Sequence, residues 1–198
     1  MNYLGKFQPP SAEDIATLDP AERADMAAAL LEGLEPGRQP LNLFKQLARL
    51  TVVSTVEVVP IRTVKKQPEI WLGKRSENDP WWPNKWALPG VVVLPSDTHD
   101  NQNTLLGPVA RLFESELRGI RQIDDLYQLP SQFRFDDRGN EVTTQYWTHV
   151  ETDEEQYDGR FFALDDIRDA ELDGSLLKEG LITIDRAIAD YQIRRTQA

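Results

Sequence analysis

The feature that most constrains the fold of this chain is one amphipathic helical segment that lies between two groups of strand-like segments. It spans residues 108–118, begins at a proline and is followed directly by Gly119, the residue types favoured at these helix positions. A last helix, opened by Ser175, carries an apolar stripe through Tyr191. The strand-like segments are residues 51–61, 69–74, 87–94, 133–135, 141–150 and 160–163. This order predicts an α+β fold, a mixed β-sheet sandwiched between helices.

The first fifty residues have a different pattern, typical of short helices. Ser11 and Asp19 are each followed three positions later by an acid, Asp14 and Glu22, as in a capping box. Their apolar stripes, and that of residues 41–50, need an apolar partner, which is either the main domain or a second copy of the chain. We therefore predict an N-terminal helical extension, residues 1–50, a main domain, residues 51–198, and a homodimer as one candidate assembly.

The composition excludes several classes of site. The chain has no cysteine, which rules out disulfides, zinc-thiolate sites and a cysteine nucleophile. Its net charge of −11 argues against a general nucleic-acid-binding surface. No signal sequence is recognisable, and no apolar run approaches the roughly 20 residues that span a bilayer. These patterns predict a cytoplasmic protein that does not bind membranes.

Two motifs in the main domain resemble those of a known family. Residues 71–75 read Trp-Leu-Gly-Lys-Arg, and after a loop residues 86–90 read Trp-Ala-Leu-Pro-Gly, followed by the helix that contains Arg111. In this order they resemble Nudix hydrolases, and the resemblance covers roughly residues 51–195. It implies a Nudix-like fold and the magnesium- or manganese-dependent hydrolysis of a nucleoside diphosphate linked to another group.

The family's metal-binding helix is where the chain departs most from the pattern. If Arg111 is the arginine of that helix, Glu116 is its last glutamate, and Leu112 and Ser115 stand where the other two glutamates belong. If the helix is aligned on Gly119 instead, Glu116 takes the penultimate glutamate position and the arginine is lost. One of three expected carboxylates remains in either alignment, although magnesium usually takes one or two carboxylates together with phosphate and water oxygens.

The resemblance assigns roles to individual residues. Glu116 and Arg111 become the candidate catalytic residues, and Glu116 and Glu114 the candidate metal ligands. Further acids could complete a metal site, either Asp97 and Asp100 in an inserted loop or Glu141 and Glu151 on a neighbouring strand. The candidate substrate-binding residues are Arg75, Trp82, Trp86 and Gly90.

Helical spacing places Glu116 within or beside the apolar stripe of its helix, where a carboxylate is costly unless it is paired or bound to metal. The structural alternative to a metal or base role is an ion pair with an arginine such as Arg75 or Arg134. Two functions therefore compete. One is a metal-dependent hydrolase, and the other is a catalytically impaired Nudix-fold module that binds a nucleotide-like ligand or a protein partner.

Overall fold

The computed structural model describes residues 11–35, 39–98, 105–136, 138–152 and 158–197. The chain divides into two compact units, Met1–Gly37 and Arg38–Ala198. The third helix, Leu41–Leu50, therefore lies in the same unit as the sheet, whereas the sequence pattern grouped it with the extension.

The first unit contains two helices, α1 (Ala12–Thr17) and α2 (Pro20–Glu32). The Ser11 hydroxyl accepts a hydrogen bond from the Asp14 N–H, and the Asp14 carboxylate accepts one from the Ser11 N–H. Asp19 and Glu22 form the same reciprocal pair at the start of α2. Both predicted capping boxes are confirmed.

The second unit is a mixed sheet with helices on both sides. Its long central strand, β1 (Val52–Val64), pairs in parallel with β7 (Gly139–Glu151) and antiparallel with β2 (Gln67–Lys74). The remaining strands are β3 (Trp86–Ala87), β4 (Gly90–Val92), β5 (Arg121–Gln122), β6 (Tyr127–Asp136) and β8 (Gly159–Ala163). The helices are α3 (Leu41–Leu50), α4 (Leu106–Ser115), α5 (Leu164–Leu172) and α6 (Lys178–Gln197), with a short 3₁₀ helix at Pro95–Thr98.

Adjacent residues of β1 point to opposite faces of the sheet, and each face has its own core. Val58 packs in a cluster with Leu112 of α4, whereas Val59 packs in a cluster with Ile184 of α6. All four side chains are fully buried. The predicted α+β sandwich is therefore confirmed. No helix in the described part of the chain is long and apolar enough to cross a membrane.

The helices differ from the sequence pattern at both ends of α4, at the start of α6 and in the presence of α5. α4 ends at Ser115, three residues early, so that Glu116 becomes its C-cap and Gly119 adopts a φ of 77°. α6 begins at Lys178 because Ser175 and Leu177 bond to the backbone of Trp86 instead, and the N–H of Leu176 bonds to the carbonyl oxygen of Ala170. α5 was not predicted; it is short, and five of its nine residues are charged.

The β6–β7 hairpin confirms the turn predicted at residues 136–140. Asp136 pairs with Gly139 across the turn, and Gly139 has a φ of 134°, a conformation that side chains rarely allow. A Cβ at Gly139 would lie 2.4 Å from the carbonyl oxygen of Ala48 in α3. The glycine therefore allows both the turn and the close approach of that helix.

Candidate functional site

A cleft opens at one end of the sheet, beside the start of α6 and the end of α4. Its lining includes the backbone of Gly90 and the indole ring of Trp82. Among the described residues its charged lining consists of four glutamates and three arginines, namely Glu57, Glu116, Glu141, Glu179, Arg75, Arg134 and Arg138. The cleft is therefore strongly polar, with charges of both signs in close contact.

The polar floor of this cleft is produced by strand register. Thr55 and Glu57 interrupt a valine-rich strand, and pairing with β7 places them opposite Thr143 and Gln145. These side chains lie on the same face of the sheet as the apolar core beneath α6, which begins further along the two strands. The signal was present in the sequence, because a glutamate between Val56 and Val58 breaks an otherwise apolar run.

Arg134 is the centre of the floor. Its guanidinium makes two bonds to Glu57, with Nη1–Oε1 at 2.5 Å and Nη2–Oε2 at 2.7 Å. The residue is 8% exposed, and its Nε and Nη2 also donate to the side-chain oxygen of Gln132. Such a bidentate charged pair is strong and fixes the orientation of both groups.

Glu141 lies beside this pair and is 3% exposed. Its Oε1 accepts hydrogen bonds from the hydroxyls of Thr55 at 2.8 Å and Thr143 at 2.7 Å. Its other oxygen pairs with Arg138, which lies at the β6–β7 hairpin. The carboxylate is therefore surrounded by donors from three strands or their connections.

Glu116 lies on the opposite side of the cleft, and its Oε2 accepts a hydrogen bond of 3.0 Å from the backbone N–H of Gly90. Glu116 is exposed as a whole residue, but its carboxyl group lies among protein atoms at the cleft, and this local desolvation raises the pKa of the carboxyl above its ordinary value. The main cause is burial, and Glu57 adds to it, whereas the Gly90 N–H, Arg75 and Arg111 oppose it. Within the described residues, no arginine forms an ion pair with Glu116.

Arg111 forms its hydrogen bonds with Asp97 and Val92 and not with Glu116. Its guanidinium makes two bonds to Asp97, at 2.9 and 2.8 Å, and one of 2.6 Å to the carbonyl oxygen of Val92. Asp97 also accepts the N–H of Leu94, and the adjacent Arg111 lowers the pKa of its carboxyl. Arg111 therefore holds the start of the inserted loop against α4.

The tryptophans divide between cleft and core. Trp82 lines the cleft, with the guanidinium carbons of Arg75 and Arg138 at 5.2 and 5.3 Å from its ring centroid. Trp86 packs edge-to-face on Phe162, with 4.9 Å between ring centroids, at the margin of the apolar core. Of the predicted substrate-binding residues, the cleft therefore brings together Arg75, Trp82 and Gly90, whereas Trp86 lies outside it.

Two further predicted acids, Glu114 and Glu151, lie apart from the cleft lining. Glu114 is exposed on α4 and does not line the cleft, and Glu151 pairs with Arg121 at the short β5 strand. Asp100 lies outside the described residues. Sequence reasoning missed Glu57 and Arg138 as cleft residues and considered Arg134 only as a partner for Glu116.

These donors do not fit a magnesium site of the expected kind. The described residues contain no group of three or more histidine, aspartate or glutamate side chains arranged to hold a metal ion. Two of the recessed carboxylates, Glu57 and Glu141, already accept hydrogen bonds or ion pairs from arginines and threonines. Magnesium needs carboxylate oxygens that are free to coordinate it.

Comparisons with known proteins give similarity at the level of structure. No protein-family model matches the chain, and no curated protein matches it. The NUDIX domain of Shewanella oneidensis NrtR, complexed with ADP ribose, has 19% identity and a TM-score of 0.54, over 92% of this chain and 99% of that one. A structure of Shewanella oneidensis NrtR also matches, and the match covers 63% of the length of that NrtR chain.

Two further structures have the same fold. A NUDIX hydrolase from Alicyclobacillus acidocaldarius has 13% identity and a TM-score of 0.57, over 70% of this chain and 92% of that one. The C-terminal domain of mouse MUTYH, solved in complex with human PCNA, has 11% identity and a TM-score of 0.52, over 72% and 90%. Identities this low show similarity of fold alone, and on that evidence the chain has the Nudix fold.

Proposed function

We propose that this protein binds a nucleoside diphosphate derivative in the cleft and is a Nudix-fold binding module without metal-dependent hydrolysis. One observation carries the proposal, namely that protein groups hold both deep carboxylates: Arg134 binds Glu57, while Thr55 and Thr143 donate to Oε1 of Glu141 and Arg138 forms an ion pair with its Oε2. Carboxylates held in this way favour a fixed polar floor over a metal site. This binding function was the alternative considered from the sequence.

The other groups of the cleft suit a nucleotide-like ligand. Trp82 offers an aromatic ring on which a base can stack. Arg75 and Arg138 are paired with Asp79 and Glu141, but each guanidinium has five N–H donors, so further donors are left that suit phosphate. The complex of the NrtR NUDIX domain with ADP ribose supports the choice of ADP-ribose as the first probe.

Calorimetric titration of the full chain with ADP-ribose, in the presence of EDTA, tests the proposal. We expect saturable binding that does not change when magnesium replaces EDTA. ADP and NAD serve as further probes, because they share the diphosphate or the base. If none of the three binds without metal, the proposed function is wrong.

A hydrolase is the second candidate, favoured by the position of Glu116. A carboxyl whose pKa is raised, in a cleft lined by arginines, is a candidate general base or acid. Under this function, Glu116→Gln should reduce diphosphate cleavage by roughly 10² to 10⁴-fold. The absence of turnover across a broad nucleotide panel, with magnesium or manganese supplied, would reject it.

A protein partner is a further version of the binding function. The MUTYH domain, which has the same fold, was solved in complex with another protein, and this supports testing for partners. Homodimer formation, cytoplasmic location and the lack of general nucleic-acid binding stay predictions from the sequence. For the dimer, the solution mass before and after deletion of residues 1–40 is the direct measurement.

A further inference from the structure

Two carboxylates share the buried floor of the cleft. The Glu57 side chain on β1 is 13% exposed, and the Glu141 side chain on β7 is 3% exposed. One nitrogen, Nη1 of Arg134, lies 2.5 Å from an oxygen of Glu57 and 3.9 Å from an oxygen of Glu141. Two carboxylates buried this close together lose hydration and repel each other, so the fold needs a cation between them.

That cation is built into the sheet. Strand pairing places Arg134 of β6 directly opposite Glu141 of β7, and its side chain crosses the face of the sheet to reach Glu57 on β1. The Nη2 of Arg134 lies 3.5 Å from the Thr183 hydroxyl of α6, which closes the floor from the helix side. Three strands and one helix therefore fix the guanidinium.

Three of the four carboxylate oxygens accept hydrogen bonds, and the fourth, Oε2 of Glu141, is buried without a hydrogen-bond donor and forms an ion pair with Arg138. Glu141 Oε1 accepts from Thr55 and Thr143, and Oε2 of Glu57 accepts from Arg134 at 2.7 Å and from Gln145 at 3.4 Å. A divalent metal would need these same lone pairs, because it coordinates oxygen acceptors and never donors.

We propose that the guanidinium of Arg134 takes the place of a divalent cation between Glu57 and Glu141 and so excludes metal from the cleft. Removal of this one group should convert the two carboxylates into a metal site. The inference rests on the proposed function, binding without metal, because it gives the reason why no metal enters the cleft.

Electron paramagnetic resonance of free and bound Mn²⁺ tests this on the full chain. Arg134→Met should bind one Mn²⁺ roughly tenfold more tightly than the wild type, because both oxygens of Glu57 lose the guanidinium that holds them beside the carboxylate of Glu141. Arg138→Met is the matched control, since it removes the same charge near Glu141 but leaves Arg134 in place. The control should bind Mn²⁺ like the wild type, and adding Glu57→Gln to Arg134→Met should abolish the gain.

Thermal unfolding with and without Mn²⁺ covers the case in which Arg134→Met is poorly folded. Mn²⁺ should raise the Tm of Arg134→Met and leave that of the wild type nearly unchanged. An Arg134→Met chain that gains neither bound Mn²⁺ nor metal-dependent folding overturns the proposal. A wild-type chain whose Mn²⁺ binding is lost in Glu57→Gln overturns it too.

The measurements of Mn²⁺ binding and of nucleotide binding test the two proposals separately. If Arg134→Met gains Mn²⁺ while wild-type protein does not bind ADP-ribose, ADP or NAD, the role of Arg134 stands and the proposed function falls. If these ligands bind without metal while Arg134→Met gains no Mn²⁺, the proposed function stands and the role of Arg134 falls.

Discussion

The carboxylate of Glu116 accepts the backbone N–H of Gly90 at 3.0 Å, and this bond joins the C-cap of α4 to the last residue of the Trp-Ala-Leu-Pro-Gly motif. The two parts of the sequence that resemble the Nudix family thus meet in the folded chain. They meet through a hydrogen bond between protein groups, on one side of a cleft whose deeper acids are held by arginines.

The raised pKa of Glu116 predicts how stability depends on pH. The folded state holds this proton more tightly than the unfolded state, so the free energy of unfolding falls as pH rises through the folded pKa. Glu116→Gln removes the charge and can still accept the Gly90 N–H. We expect this variant to have a higher Tm than the wild type at about pH 7, with the difference shrinking toward about pH 4.

Glu114→Gln is the control for that measurement, because Glu114 is an exposed neighbour on the same helix. It should change the free energy of unfolding by less than about 0.5 kcal/mol. A Glu116→Gln variant that is no more stable than the wild type at neutral pH would show that burial of this charge is not costly.

The Arg111–Asp97 ion pair should stabilise the folded chain, and this stabilisation should be lost at acidic pH. Asp97→Asn loses charged hydrogen bonds to Arg111, and we expect a loss of about 1.5–3 kcal/mol in unfolding free energy. The pKa of Asp97 is lowered, so its contribution is present above the unfolded pKa and disappears as pH falls through the folded pKa. Denaturant unfolding of wild type and variant across the acidic range measures this, with the exposed neighbour Ser96→Ala as control.

Trp82 and Trp81 give a matched pair for ligand binding. Trp82 lines the cleft, whereas Trp81 packs edge-to-face on Phe44 of α3 with 6.3 Å between ring centroids. Trp82→Ala should weaken ADP-ribose binding by about 1–3 kcal/mol if a base stacks on this ring. Trp81→Ala should leave the Kd for ADP-ribose unchanged, and equal losses in both variants would argue for a general structural effect.

Substitution by alanine should have different effects on the free energy of unfolding at two glycines. A Cβ at Gly159 would lie 2.1 Å from the indole ring of Trp71 and 2.7 Å from the carbonyl oxygen of Leu72. Gly159→Ala should therefore cost about 1–3 kcal/mol in urea unfolding, as overpacked sites do. At Gly180 the nearest atom would be Leu88 Cγ at 3.6 Å, so Gly180→Ala in α6 should be neutral or stabilise by about 0.5–1 kcal/mol.

Much of the fold could be predicted from the sequence because its signals are local. The capping residues Ser11 and Asp19, the valine-rich β1 and the turn before Gly139 each act within a few residues. The boundaries that shifted depend on distant contacts. α6 starts late because two residues before it, Ser175 and Leu177, bond to the backbone of Trp86.

The candidate site was predictable only in part. The motif indicated Gly90 and Glu116, and the structure brings both to the cleft, whereas it directs Arg111 to the inserted loop. The sequence contained one clue to the floor, the glutamate at position 57 between two valines. Its partner, Arg134, is 77 residues away, and nothing local couples the two positions.

The sequence by itself predicted most of the strands and helices, because hydrophobic periodicity and capping act over a few residues, and it indicated Glu116 as the one glutamate left at a motif position. Only the tertiary structure decided which charges meet. Strand register places Arg134 between Glu57 and Glu141, and buried charges must be paired where they lie. Pairing between distant strands, and not the motif, therefore decides whether the cleft carboxylates are free to bind a metal.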